Sequence, residues 1–125
     1  MLQFLLDEHI SPTVCLVVRE RRNQISIESV LDWQGGHLSG KDDHTLLSAI
    51  SAARYTLVTY DLRTVSPLLR TWAATGLTHH GVIFIDERTC RPNDFSAIAN
   101  ALIRIWDGMS TFDWTNRVAF ATRGF

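Results

Sequence analysis

Short apolar runs alternate along this chain with stretches whose apolar residues recur three and four apart, and that alternation admits few folds. Leu2 to Leu6, Tyr55 to Tyr60 and Gly81 to Asp86 each have the length and composition of a buried strand. Ile25 to Val30 alternates apolar with polar residues, as a half-buried strand does. Helical spacing fills the intervals, so consecutive strands cannot be joined by tight hairpins and are expected to lie parallel. The predicted fold class is α/β: a three-layer α/β/α sandwich with a central, mostly parallel sheet, covered on both faces by right-handed crossovers.

Local signals set the expected boundaries. Ser11-Pro12 marks a helix start, a hydroxyl at the cap and a proline in the first turn, and the helix runs to about Arg22 before Asn23-Gln24. The glycine-bearing stretch Trp33 to Gly40 reads as a loop. Asp42-Asp43 then open a helix carrying Leu46, Leu47, Ile50 and Ala53, where the positive end of the dipole favours acids. A third helix is predicted from about Val65 to Ala74, with Pro67 in its first turn and Gly76 as its stop. Phe95, Ile98, Ala99, Leu102 and Trp106 predict a fourth after Pro92 and Asn93, closed by Asp107-Gly108. Arg117 to Thr122 alternates as a last strand at the sheet edge.

The 125 residues, 46% of them hydrophobic, suffice for one sizeable core, so residues 1–125 are expected to form a single domain. With 12 basic and 13 acidic residues the net charge is -1, which excludes a global basic field of the kind that draws nucleic acid from a distance. Lys41 is the only lysine; every other cation is an arginine, whose planar fork suits phosphate and carboxylate partners. Cys15 and Cys90 are far from any CxxC spacing and are expected to be buried free thiols. The run Leu2 to Leu6 lacks a basic leader and is halted by Asp7 and Glu8, too short for a signal peptide or a span. A cytoplasmic protein with no membrane partner is expected.

In a parallel sheet ligands bind beyond the carboxyl ends of the strands, where strand order reverses. Asp7 follows the first strand, Asp61 follows the third, and Asp43 opens a helix whose N-terminus lies at the same edge; Asp86 falls there too. Carboxylates without histidine or thiolate partners prefer hard cations, so Asp7, Asp43 and Asp61 are the predicted ligands of Mg2+ or Mn2+. Such an ion activates water and stabilises a leaving oxygen, the logic of metal-dependent nucleases and phosphatases. Taken singly, each acid has a plainer use: a turn after the first strand for Asp7, a helix start for Asp43 and for Asp61. Their common edge favours the joint reading.

Other acid-edge chemistries match less well. A receiver domain needs a lysine after a late strand, and Lys41 lies elsewhere. A haloacid-dehalogenase-type phosphatase needs a second aspartate two residues after the first, where this chain has His9. No GxxxxGK[ST] or GxGxxG cradle is present. Phe4-Leu5-Leu6-Asp7-Glu8-His9-Ile10-Ser11-Pro12, Asp43-His44-Thr45-Leu46-Leu47 with Ala49, Leu57-Val58-Thr59-Tyr60-Asp61 and Gly81-Val82-Ile83 occur in that order. Together they resemble the PIN-like family of small prokaryotic proteins, from residue 2 to about residue 86.

That resemblance implies a PIN-type α/β/α fold and a metal-dependent endoribonuclease, the toxin of a toxin-antitoxin pair, with RNA as substrate and an antitoxin protein as partner; it leaves a homodimer open. Asp7, Asp43 and Asp61 match the family's catalytic, metal-binding acids. Thr59 matches the hydroxyl residue that orients the third acid, and Glu8 an acid that serves as a further ligand or supports one. The chain departs from the family two residues after Asp61, where relatives carry a fourth acid and this chain has Arg63-Thr64. Arg63 is expected either to clamp a phosphate or to pair with Asp61 in the metal's place. The second reading is therefore a catalytically inactive PIN-like module that binds protein or RNA. His9 and His44 adjoin the acids and are candidates for phosphate binding or proton transfer, against the commoner outcome of solvent-facing histidines. His79-His80 are expected in a loop at the far end, and Trp72, Trp106 and Trp114 in core or interface.

Overall fold

The structure, a computed structural model, describes residues 1–124. Its strands are β1 (Gln3–Leu6), β2 (Ser26–Ser29), β3 (Thr56–Thr59), β4 (Val82–Ile85) and β5 (Val118–Ala121). They form one sheet in the order β2-β1-β3-β4-β5, and every neighbouring pair is parallel. The helices are α1 (Thr13–Arg21), α2 (Asp43–Ala52), α3 (Leu62–Ala74) and α4 (Phe95–Met109), with a short 3-10 turn at Trp33–Gly36. None of the described helices is long and apolar enough to cross a membrane.

Successive side chains of a strand point to opposite faces, and the strands use this to build two cores. Phe4, Leu6, Val58, Ile83, Ile85 and Ala121 face α1 and α4, where they meet Val14, Cys15, Val18, Ile98 and Leu102. Leu5, Leu57, Val82 and Phe84 face the other way, against Leu46, Leu47 and Ile50 of α2 and Val65 and Trp72 of α3. The chain is thus a three-layer α/β/α sandwich. Both cysteines are buried free thiols, and Trp72 and Trp114 are buried. Trp106 is half-buried against the first core.

Strand order also fixes the hand of each connection. The step β1 to β2 runs toward one edge with α1 on the first face; β2 to β3 and β3 to β4 run toward the other edge with α2 and α3 on the second face. These three share a hand. The step β4 to β5 runs outward with α4 on the first face, packed against α1, and so has the opposite hand, against the right-handed rule for such crossovers. In consequence Val118 and Phe120 of β5 are exposed on the second face, where they line an open groove with Leu62, Leu69 and Ala73 of α3.

Two helices depart from their predicted bounds, α3 at its capped start and α4 at its end. Asp61 accepts the Thr64 N–H at 3.1 Å, so α3 begins at Leu62, three residues before Val65. Pro67 consequently sits in the second turn, where it lacks the N–H that would bond the Arg63 carbonyl. The predicted stop holds: Gly76 lies just past the helix with φ +77°. In α4, Asp94 accepts the Ala97 N–H at 3.0 Å, and the helix runs through Asp107-Gly108 to Met109 instead of closing there. Its last carbonyls find partners beyond the glycine: Ser110 N–H bonds Trp106 O at 3.0 Å, and the Trp114 indole bonds Met109 O at 2.9 Å.

Candidate functional site

Strand order reverses between β1 and β3, the two strands that end in Asp7 and Asp61. Asp7 continues the ladder, donating its N–H to Val58 O at 3.0 Å, and this holds its carboxylate at the mouth of the sheet while leaving the residue only 8% exposed. One carboxylate oxygen accepts the His9 N–H at 2.8 Å; the other accepts the hydroxyl of Thr59. Thr59 Oγ1 in turn accepts the Asp61 N–H at 3.0 Å. Thr59 is fully buried, and its hydroxyl donates to the Asp7 carboxylate while touching Asp61 only at its backbone N–H, whereas the resemblance assigned Thr59 to Asp61.

Asp43 is the first residue of α2, and Asp42 before it does the capping, accepting from Thr45 N at 3.2 Å and Thr45 Oγ1 at 2.6 Å. That leaves the Asp43 carboxylate free to face the cleft. Glu8 reaches across to accept the Gly40 N–H at 3.2 Å, tying the loop after β2 onto the site. The loop turns through Gly36 at φ +80°, where a Cβ would come within 2.9 Å of the Leu31 carbonyl oxygen. The resulting narrow cleft is lined by Asp7, Glu8, His9, Lys41, Asp43 and Asp61, with Val30, Leu38 and Leu46 as its apolar wall.

Charge in this cleft is unbalanced: four carboxylates face a single lysine. Burial pushes the Asp7 carboxyl above the ordinary range, against the opposing pull of its bonds from Thr59 and His9. Asp43 is also raised, by burial first and then by the negative charges of Asp61 and Asp7. Asp61 goes the other way, held low chiefly by the Thr64 hydroxyl. Among the described residues, no group of three or more His, Cys, Asp or Glu is placed to hold a metal ion; the acids share a cleft without closing into a ligand cage. By chemistry the donor set fits a hard cation, since it is all oxygen and carries uncompensated negative charge.

The remaining candidates separate. His9 lines the cleft. His44 turns away from it: its Nδ1 accepts the Trp72 indole N–H at 2.9 Å, and the rings meet edge to face. Arg63 lies in the adjoining groove with Tyr60, Asp86 and Arg88, and among the described residues it forms no ion pair with Asp61. It therefore does not take the metal's place by pairing with that acid. Asp86 ends β4 in the same groove, 3.5 Å from Arg88, and His79-His80 lie between α3 and β4 as expected. Lys41 is the site residue that sequence reasoning passed over. Its position just before the acids that open α2 was the available signal. No protein-family model, curated protein or solved structure matches this chain.

Proposed function

We propose that this protein is a metal-dependent endoribonuclease of PIN-like type, acting in the cytoplasm as the toxin of a toxin-antitoxin pair. The observation that carries this reading is the cleft at the strand-order switch, which Asp7, Glu8, Asp43 and Asp61 line together with His9 and Lys41. Burial raises Asp7 and Asp43 above their ordinary range, and the charges of the neighbouring carboxylates add to the rise, chiefly at Asp43; a divalent cation would relieve that repulsion. The ordered family signatures support the same reading.

Asp7, Asp43 and Asp61 would hold Mg2+ or Mn2+, with Glu8 in support. Such an ion, when bound, supplies an activated water and charge stabilisation for a phosphodiester. The chain's own contribution is positioning. Thr59 fixes Asp7 against Asp61 through two hydrogen bonds, and Glu8 holds the loop that brings Lys41 to the cleft, where its ammonium can meet an RNA phosphate. An antitoxin protein is the proposed partner of the active chain.

One observation favours the second reading, a PIN-like module that binds without cleaving: among the described residues no group of three or more His, Cys, Asp or Glu is placed to hold a metal ion. The two readings part on a cleavage assay. Labelled RNA incubated with the protein and Mn2+ is expected to be cut, with activity lost in EDTA and reduced at least about a hundredfold in Asp7→Asn and in Asp61→Asn. Cleavage that survives both substitutions or ignores EDTA contradicts the nuclease reading, and intact RNA with folded wild-type protein selects the binding module.

A further inference from the structure

We propose that the end of the sheet opposite the acid cleft carries a phosphate-binding site, built from Arg54, His79 and His80 with the hydroxyls of Ser51, Thr78 and Thr115. It lies where β3, β4 and β5 begin, so it is separate from the cleft and does not depend on the nuclease reading.

These residues line a pocket of about 320 Å³, and among the described residues no acidic or aliphatic one lines it with them. Every side chain in it can donate a hydrogen bond, the pattern that suits the oxygens of an anion. The donors come from three segments: the end of α2, the loop before β4 and the turn before β5. Convergence from three sides fits a tetrahedral ion, which presents oxygens in every direction, better than a planar carboxylate.

Two of the donors are buried without partners. Ser51 Oγ is the one buried side-chain polar atom that finds no hydrogen bond among the described residues. An unpaired buried hydroxyl is costly, and a bound oxyanion would satisfy it. His79 is as enclosed: its Nδ1 accepts the Gly81 N–H at 3.0 Å, which puts the ring proton of the neutral imidazole on Nε2. Among the described residues nothing accepts that proton.

Arg54 supplies the charge. Helix α2 ends in a closed turn in which Tyr55 N–H bonds Ile50 O and Arg54 N–H bonds Ser51 O, both at 3.0 Å. The left-handed position of such a turn ordinarily holds glycine; here it holds Arg54, at φ +63°. Among the described residues its guanidinium forms no ion pair, so the turn forgoes its favoured residue and presents an unmatched cation. The same two bonds engage carbonyls at the helix end that would otherwise face an anion. Burial, and then the charge of Arg54, holds the His80 imidazole below its ordinary range. Asp113, the acid that opposes this, accepts the Thr115 N–H at 2.9 Å. A phosphate beside Arg54 would offset the crowded positive charge, with the planar guanidinium fork meeting two of its oxygens.

Calorimetric titrations with inorganic phosphate and with glycerol phosphate, in EDTA and at an ionic strength held constant with chloride, are expected to show saturable binding. Binding of the ester assigns a site for phosphomonoesters, and binding of inorganic phosphate alone a site for the free ion. Arg54→Gly restores the residue the turn favours, so it is expected to melt at or above the wild-type temperature in chloride and to bind phosphate at least about tenfold more weakly. Ser51→Ala deletes the unpaired hydroxyl and is expected to weaken binding without lowering the melting temperature in chloride. Absence of saturable binding to the folded wild-type protein overturns the proposal. So does a phosphate affinity that either folded variant leaves unchanged.

Discussion

Buried titratable side chains in this molecule are held by specific partners, and their charge states follow from those partners. His79 is a clear case outside the cleft. It is only 7% exposed, and its Nδ1 accepts the Gly81 N–H at 3.0 Å at the entry to β4. Burial, with a smaller contribution from the charge of His80, holds its imidazole below the ordinary range. The unfolded chain takes up a proton near the ordinary histidine value of 6.5 while the folded chain resists it, so this contribution to stability is intact above that pH and declines as pH falls below it. His79→Asn keeps an oxygen acceptor near the position of Nδ1 and cannot titrate. Melting temperatures followed from neutral to mildly acid pH are expected to fall less steeply for the variant than for wild type. The neighbouring His80, also lowered by burial, leaves some slope in both. Identical slopes would show that His79 does not stay neutral in the folded chain.

At the scale of elements, Asp61 holds two positions that ordinary mutagenesis confuses: it caps α3 and it faces the acid cleft. Asparagine caps nearly as well as aspartate, whereas alanine loses about 1 kcal/mol. Asp61→Asn is therefore expected to keep the wild-type denaturation midpoint in urea and lose cleavage, while Asp61→Ala loses both. An Asn variant as unstable as the Ala variant would assign Asp61 a structural part beyond the cap. The same residue explains where the sequence was hard to read. Apolar patterning located α2, α4 and the described strands, because burial on one face dictates it, and start and stop signals located α1 and α3. They placed the start of α3 at Val65 although Asp61 was weighed as a helix start, and they did not single out Asp94; the bonds of these two acids to Thr64 and Ala97 cap the two helices. They also took Gly108 as a stop, although Ser110 and Trp114 satisfy the carbonyls beyond which the helix could end.

Over the whole molecule, the site depends on strand order, which no local pattern contains. Periodicity put Asp7 and Asp61 at strand ends; only the arrangement β2-β1-β3-β4-β5 makes those strands neighbours and links their acids through Thr59. The contact from Glu8 to Gly40, which carries Lys41 into the cleft, spans 32 residues and was likewise not legible beforehand. Nor was the placement of α4 beside α1, which leaves Phe120 of β5 exposed. The central claim is that Asp7, Asp43 and Asp61 together bind a divalent cation. Crystals grown with Mn2+ and measured for its anomalous scattering test this most directly: the account predicts a peak within ligand distance, about 2.2 Å, of carboxylate oxygens from all three residues. A well-ordered cleft with no anomalous peak at saturating Mn2+, or a peak held by none of the three, would contradict it.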